Sequence, residues 1–251
     1  MQIVGYETAT DADPAGLFVA EKDGVRRVAL DLGRDLRYTL GDRHCAGAFD
    51  GDDHVPCSRE RAPYCPEHTS AWPCARCTGN CDRPLEACHE EHAVYLAAFA
   101  PDVFKVGVTR SWRLETRLRE QGADRAAHVR TVADGRRARQ VEAELARDLT
   151  DRVRVPTKVD GLHRTVDADA WERLLADFDV LGTFAFDYGL DLRDRPVFET
   201  LATGTVRGTK GRVLVLDRDG SAYAVDLRDL VGHELREGAT DRSLQSSLGA
   251  F

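Results

Sequence analysis

The chain has 251 residues, 42% hydrophobic and 31% charged, with a formal net charge of −8 at pH 7. That composition belongs to a folded protein of one large or two modest domains and excludes wholesale disorder and collagen-like repetition. No apolar run approaches the ~20 residues needed to cross a bilayer, and the N-terminal MQIVGYETAT lacks the basic and apolar segments of a secretory leader, so a cytoplasmic protein with no membrane partner is expected.

The make-up of the charge is skewed. There are 28 Asp against 15 Glu, and 31 Arg against only four Lys, at positions 22, 105, 158 and 210. An Asp-rich, Lys-poor surface suits solubility in high salt, where the Debye length falls to ~3 Å at 1 M. A halophilic source is therefore expected. Net negative charge then argues only against nucleic acid held over the whole surface, and not against a local basic site.

In chain order, residues 1–44 read as short strands. IVGYE, GLFVAE, RRVAL and LRYTL alternate and are rich in Val, Leu, Tyr and Phe, with turns near Glu21–Gly24 and Gly33–Asp35.

All seven cysteines lie in the next segment, 45–92: Cys45, Cys57, Cys65, Cys74, Cys77, Cys81 and Cys88. An odd count cannot close into intramolecular disulfides alone, and a cytoplasm is reducing. Cys65-x2-His68 and Cys74-x2-Cys77 have the spacing that lets two ligands reach one tetrahedral ion from a tight turn. With His68 as the eighth ligand the set suffices for two zinc ions. His44, His54, His89 and His92 are the other candidates. A sequential pairing groups Cys45, Cys57, Cys65 and His68, then Cys74, Cys77, Cys81 and Cys88. A crossed pairing groups Cys45, Cys57, Cys74 and Cys77, leaving Cys65, His68, Cys81 and Cys88. The segment has few large apolar residues, so its ordering needs another source of free energy, and structural zinc supplies on the order of 10 kcal/mol or more per site. With four protein ligands per ion no position is open to water, which makes the ions structural. A zinc-ribbon-like insert is the expectation.

The central segment, 93–150, changes period. AVYLAAF (93–99) and VFKVGVT (103–109) read as a hairpin. A helix is expected from Ser111 to Gln121, with Ser111 as N-cap and Gly122 after its end. A strand at 127–133 follows, then a helix from Arg136 to Leu149 with Ala138, Val141, Leu145 and Leu149 on one face. In 151–251, a short helix is expected at 166–178, capped by Asp167 or Asp169, and then strands return. VLVLD and AYAVDL form a hairpin turned through Asp219-Gly220. Residues 237–251 look frayed. The predicted class is α+β: a β-β-α-β-α centre, a zinc-bearing insert, and β-rich N- and C-terminal ends packed together because neither alone has enough strands for a good core.

On these residues the central unit, about 57 positions, resembles the GIY-YIG endonuclease superfamily, in the divergent branch whose second motif carries lysine. Ala93-Val94-Tyr95 corresponds to the first motif and Lys105-Val106-Gly107, followed by Thr109, to the second. The helix arginine falls on Arg117, with Arg113 the alternative, and the metal-binding glutamate on Glu142. Arg117 lies two residues further from the second motif than is usual, which implies a longer strand-to-helix turn or the Arg113 assignment. The upstream cysteines and β-rich flanks further resemble an uncharacterised prokaryotic family of this type. The resemblance implies hydrolysis of a phosphodiester in DNA or RNA. Mg²⁺ or Mn²⁺ would sit on Glu142, an arginine would grip the phosphate (with Arg113 and Thr109 as further substrate contacts), and Tyr95 would orient or deprotonate water.

Each residue also has a plainer role. Tyr95 can be a packed strand aromatic, Arg117 a solvated helix residue, and Glu142 an ion-pair partner of Arg139 or Arg147. Lys105 stands out because lysine is so scarce here; it would act as a base if its pKa were pushed down, for example by Arg117, and would otherwise bind phosphate as a plain cation. Trp72, Trp112 and Trp171 are read as packing residues, with base stacking the alternative for Trp112. Besides a nuclease, the pattern admits a non-catalytic nucleic-acid-binding module and a zinc-stabilised protein-interaction module.

Overall fold

In the computed structural model the described residues are 1–51, 53–69, 79–80 and 86–240. The chain divides into two units, Met1–Ser70 with Tyr188–Phe251, and Ala71–Asp187. Both ends of the sequence thus belong to one unit, and the division falls inside the cysteine-rich segment.

The first segment supplies strands β1 (Gln2–Glu7), β2 (Gly16–Glu21), β3 (Gly24–Ala29) and β4 (Asp35–Arg43), and the short hairpin β5 (Ala48–Asp50) and β6 (Asp53–Val55). The middle holds β7 (His92–Phe99), β8 (Val103–Arg110), α1 (Leu114–Gln121), β9 (Arg125–Val132), α2 (Gly135–Leu145), α3 (Val155–Asp160), α4 (Ala168–Leu175) and β10 (Gly182–Ala185). The return brings β11 (Val197–Phe198), β12 (Ala202–Lys210), β13 (Val213–Arg218), β14 (Ser221–Asp226), α5 (Leu227–Leu230) and β15 (His233–Glu237). The protein is mixed α+β. Among the described residues no helix is long and apolar enough to cross a membrane.

In the first unit the two ends of the sequence interleave. The sheet order is β11-β14-β13-β12-β4-β15-β1-β2-β3, so β4 pairs with β12 and β15, and β15 with β1. Strand alternation directs Leu17, Val19 and Val28 at one end of the sheet, and Leu214, Leu216 and Val225 at the other, into a single buried cluster. Strands so far apart in the sheet share a core only if the sheet curls back on itself. Bulges at Ile3/Gly5, Val206/Gly208 and His233/Leu235 supply local bending. The β13–β14 turn has left-handed Asp219 (φ 51°) and Gly220 (φ 78°), the conformation a two-residue hairpin of matching twist demands.

The second unit is a four-stranded antiparallel sheet in the order β10-β9-β7-β8. β7 lies inside it and is buried from Ala93 to Phe99, which explains its unbroken apolar sequence. Ala93, Tyr95, Ala97 and Phe99 face Leu114 and Leu118 of α1. Val94, Leu96 and Ala98 face Val141 of α2 and Trp171 of α4 on the opposite side. The strand-strand-helix-strand-helix order is the predicted one, with local corrections. The first helix begins at Leu114, because Ser111–Arg113 winds as a 3-10 turn. Ser111 does not cap it: its amide is tied to the Glu91 carbonyl (3.0 Å) and its buried hydroxyl has no hydrogen-bond partner among the described residues. Gly122 ends it in the left-handed conformation (φ 69°). The second helix stops at Leu145, with Asp134 as its cap accepting from the Arg137 amide at 2.7 Å. Asp167 caps α4, accepting from the Ala170 amide at 2.9 Å. β5, β6, α3, β10 and β11 are short elements that the periodicity does not announce.

Candidate functional site

Cys45 follows β4, Cys57 follows β6, and Cys65 and His68 share one tight turn in which the His68 and Thr69 amides bond the Cys65 carbonyl at 3.0 and 2.8 Å. The β5–β6 hairpin closes against Gly47, whose φ of 75° suits glycine and where a Cβ would lie 2.1 Å from the Val55 carbonyl. The outcome is a cluster: the ligand atoms of Cys45, Cys57, Cys65 and His68 all lie within 4.8 Å of one another, close enough to hold a metal ion. His68 Nδ1 is 3.3 Å from Cys45 Sγ and 3.5 Å from Cys65 Sγ. Metal–sulfur bonds of ~2.3 Å and metal–nitrogen bonds of ~2.0 Å put neighbouring ligands of a tetrahedron ~3.5–3.8 Å apart. Cys45 and Cys65 are buried, and no disulfide joins the described cysteines.

Burial holds the Cys45 thiol above its ordinary value, although two amides donate to its sulfur. The amides of Cys65 and Gly47 donate to Cys45 Sγ at 3.2 and 3.4 Å. Burial opposes ionisation of Cys65. The amides of His68 and Glu67 and the neighbouring thiols outweigh it and hold Cys65 below the ordinary thiol value. His44 Nδ1 sits 2.9 Å from the Cys57 carbonyl and His54 Nε2 2.7 Å from the Ala46 carbonyl, so these two histidines engage backbone beside the cluster. Of the two pairings left open by the sequence, the first four ligands of the sequential one are those that meet: Cys45 and Cys57 group with Cys65 and His68. Cys74, Cys77 and Cys81 lie outside the described residues. Cys88 is half-buried in the second unit, its Cα 3.4 Å from where a side chain on Gly135 would begin.

The second cluster is assembled on the edge strand β8. Tyr95 pairs directly with Gly107, and a Cβ on that glycine would lie 2.5 Å from both the ring Cζ and Oη, so the tyrosine lies across it. Lys105 and Thr109 flank Gly107 at alternate positions of β8, paired with Ala97 and Ala93, and therefore share the face of Tyr95. Tyr95 is 1% exposed, and its Oη accepts from Gln121 Nε2 at 2.5 Å. Burial raises its pKa against the Gln121 hydrogen bond and the Arg117 charge, with Glu142 adding to the rise. The Lys105 ammonium is pushed down to about 8, first by burial, with Glu142 pulling it up and Arg117 pushing it down. Arg117 and Glu142 thus each act on both Tyr95 and Lys105. The four residues come from β7, β8, α1 and α2, which packs on β7 and β8.

Arg117, and not Arg113, is among the charges bearing most on Tyr95 and Lys105. Arg113 donates to Glu120 Oε1 at 2.8 Å, and Arg117 to Glu120 Oε2 at 3.0 Å. The three residues of the 3-10 turn take up the longer passage from β8 to the helix. Glu142 Oε2 accepts from Arg139 Nη1 at 2.6 Å, with the carboxylate side chain only 14% exposed. Two participants carried no expectation. Gln121 is one helical turn beyond Arg117, a spacing that could have announced it. Asp151 acts on Lys105 because Val106 bonds the Thr150 carbonyl at 3.0 Å, a long-range pairing with no sequence signal.

The described residues thus define a mixed α+β protein with a Cys3His cluster close enough to hold a metal ion and a group of charged side chains on the edge strand β8. Residues 49–186, more than half the chain, match the model of a family described as a protein of unknown function (DUF2797), and the chain belongs to that family. No curated protein and no solved structure matches it.

Proposed function

We propose that this chain is a zinc-stabilised, GIY-YIG-like protein that acts on nucleic acid, hydrolysing a phosphodiester with the help of Mg²⁺ or Mn²⁺ at the cleft of Tyr95, Lys105, Arg117 and Glu142. The observation that carries this reading is geometric: Lys105 and Thr109 lie on edge strand β8 on the face of the buried Tyr95, and the charges of Glu142 and Arg117 act on both Tyr95 and Lys105. Strongly perturbed groups gathered at one place mark functional sites more often than structural ones.

The residues fit a hard cation in a limited way. Glu142 offers an oxygen shielded from bulk water, and water and phosphate oxygens would complete the shell, as is usual for Mg²⁺. Such an ion would supply positive charge beside the leaving oxygen. With such an ion bound, Glu142 would hold it in place of Arg139, and the Arg139 guanidinium would be available to phosphate. Arg117 is exposed and grips a non-bridging phosphate oxygen. Burial keeps the Tyr95 phenol protonated, so it orients and does not deprotonate. Lys105 is the base. Its Nζ takes the proton of the attacking water as the new P–O bond forms and the bond to the leaving oxygen breaks, that oxygen taking a proton from solvent. The rate should rise with pH up to about 8 and level off above it, since only the neutral amine accepts a proton.

Zinc is the ion we assign to Cys45, Cys57, Cys65 and His68, with a second on Cys74, Cys77, Cys81 and Cys88, both structural because all four positions are protein ligands. A cytoplasm keeps those thiols reduced, and a salt-rich one accounts for the Asp-rich, Lys-poor composition.

Cleavage of single-stranded DNA, duplex DNA and RNA by the purified chain in Mg²⁺ or Mn²⁺, across a range of salt and with EDTA as control, tests the reading. Glu142→Ala should lower cleavage at least ~100-fold. If nothing is cut under any condition and Glu142→Ala changes nothing, the hydrolytic reading fails. Binding that survives Glu142→Ala but weakens with Arg117→Ala would leave a non-catalytic nucleic-acid-binding module in its place.

A further inference from the structure

Among the described residues of the second unit the most exposed aromatic side chain is Trp112, at 69%. It belongs to the 3-10 turn that carries the chain from β8 into α1, beside the proposed cleft. An indole is costly to leave in water, and a packing residue would be covered. This one is uncovered and also held in place. Its Nε1 donates to Glu90 Oε2 at 3.0 Å, and the other oxygen of the same carboxylate accepts from Arg110 Nη1 at 3.2 Å. Guanidinium carbons of Arg110 and Arg113 lie 5.3 and 5.8 Å from the ring centroid. The polar edge of the ring is therefore satisfied and its orientation set, while most of its surface stays open.

The ring is also connected to the cleft. Arg113, beside the ring, bonds one oxygen of Glu120, and Arg117 bonds the other. Indole, two guanidiniums and the phosphate-gripping arginine form one run along the start of α1. Planar aromatic surface next to cations is complementary to a base attached to a phosphate. In a paired duplex both faces of every base are already stacked, so an indole face is usable only by an unpaired or extruded base.

We propose that Trp112 is a stacking platform for an unpaired nucleobase adjoining the phosphate at Arg117, so that the substrate class is single-stranded nucleic acid or a duplex with an unpaired nucleotide at that point. This rests on the nucleic-acid reading above and narrows it. Arg110 and Arg113 hold the flanking phosphates, and Glu90 keeps the ring oriented.

The test is binding of the full chain, without divalent cation, to a fluorescently labelled single-stranded oligonucleotide and to the blunt duplex of the same sequence, at several salt concentrations. The wild type should prefer the single strand. Trp112→Ala should weaken single-strand binding about 5- to 150-fold while leaving duplex binding nearly unchanged, and Trp112→Phe should restore most of the loss. Because the side chain is exposed, the far-ultraviolet circular dichroism and melting of both variants should match the wild type. Equal binding of wild type and Trp112→Ala, or an equal loss for single strand and duplex, would overturn the platform and leave the nucleic-acid reading standing. Absence of any wild-type binding to either probe would overturn both.

Discussion

The two candidate sites are built in opposite ways. The Cys3His cluster draws its ligands from 24 consecutive residues, 45–68, mostly from turns. The cleft draws on four separate elements spanning Tyr95 to Glu142, each already anchored in a two-faced apolar core. At the first site a bound ion would hold the chain. At the second the fold holds charges in a place they would not choose, with a lysine less basic than in water and two guanidiniums sharing one carboxylate.

That contrast can be broken most directly at the cluster. Cys65→Ser should remove one zinc equivalent and, since structural zinc contributes on the order of 10 kcal/mol, abolish cooperative folding of the segment around it. Metal analysis with circular dichroism reads the first effect, and chelator titration of the wild type should reproduce the second. Unchanged metal content and melting would show the four side chains to be gathered without an ion.

Substitution in the cleft should act in the other direction. At pH 7 Lys105 is charged both folded and unfolded, and the folded state bears the full cost of lowering its pKa from 10.5 to about 8. Lys105→Met should therefore stabilise the chain at pH 7 by up to about 3 kcal/mol while removing cleavage. The difference between the two proteins should shrink as pH rises from about 8 to 10.5, as folded wild type loses its proton first. Denaturant melts across that range measure it, and a variant less stable at pH 7 would show the lysine to be at ease.

A smaller effect is expected where cleft and core meet. Gly107→Ala places a methyl 2.5 Å from the Tyr95 ring, in a site that cannot yield without moving the tyrosine. A loss of about 1–3 kcal/mol should follow, with zinc content unchanged. A neutral result would mean that Tyr95 has another place to go.

Much of this was legible beforehand, for identifiable reasons. The apolar run of β7 and the 3.6-residue period of α2 are local patterns that burial on a sheet enforces, so their positions were readable within a few residues. Knuckle spacing marked Cys65 and His68. The correction at Ser111 has a local cause too, because Ser111–Arg113 winds as a 3-10 turn and the α-helix starts only at Leu114, beyond reach of the Ser111 hydroxyl as a cap. By contrast, no spacing rule distinguished the sequential from the crossed set of ligands, Arg117 from Arg113, or the part played by Asp151.

From the sequence alone came the α+β class, the order of elements in the central unit and the kinds of side chain available for chemistry, since each depends on neighbours within a turn or a strand. Tertiary structure alone decided that Cys45, Cys57, Cys65 and His68 meet, that strands from the first and last parts of the chain complete one sheet, and that Glu142 and Arg117 both act on Tyr95 and Lys105. Those outcomes depend on contacts between residues far apart in the chain, whose energies become available only once the cores have closed and brought them together.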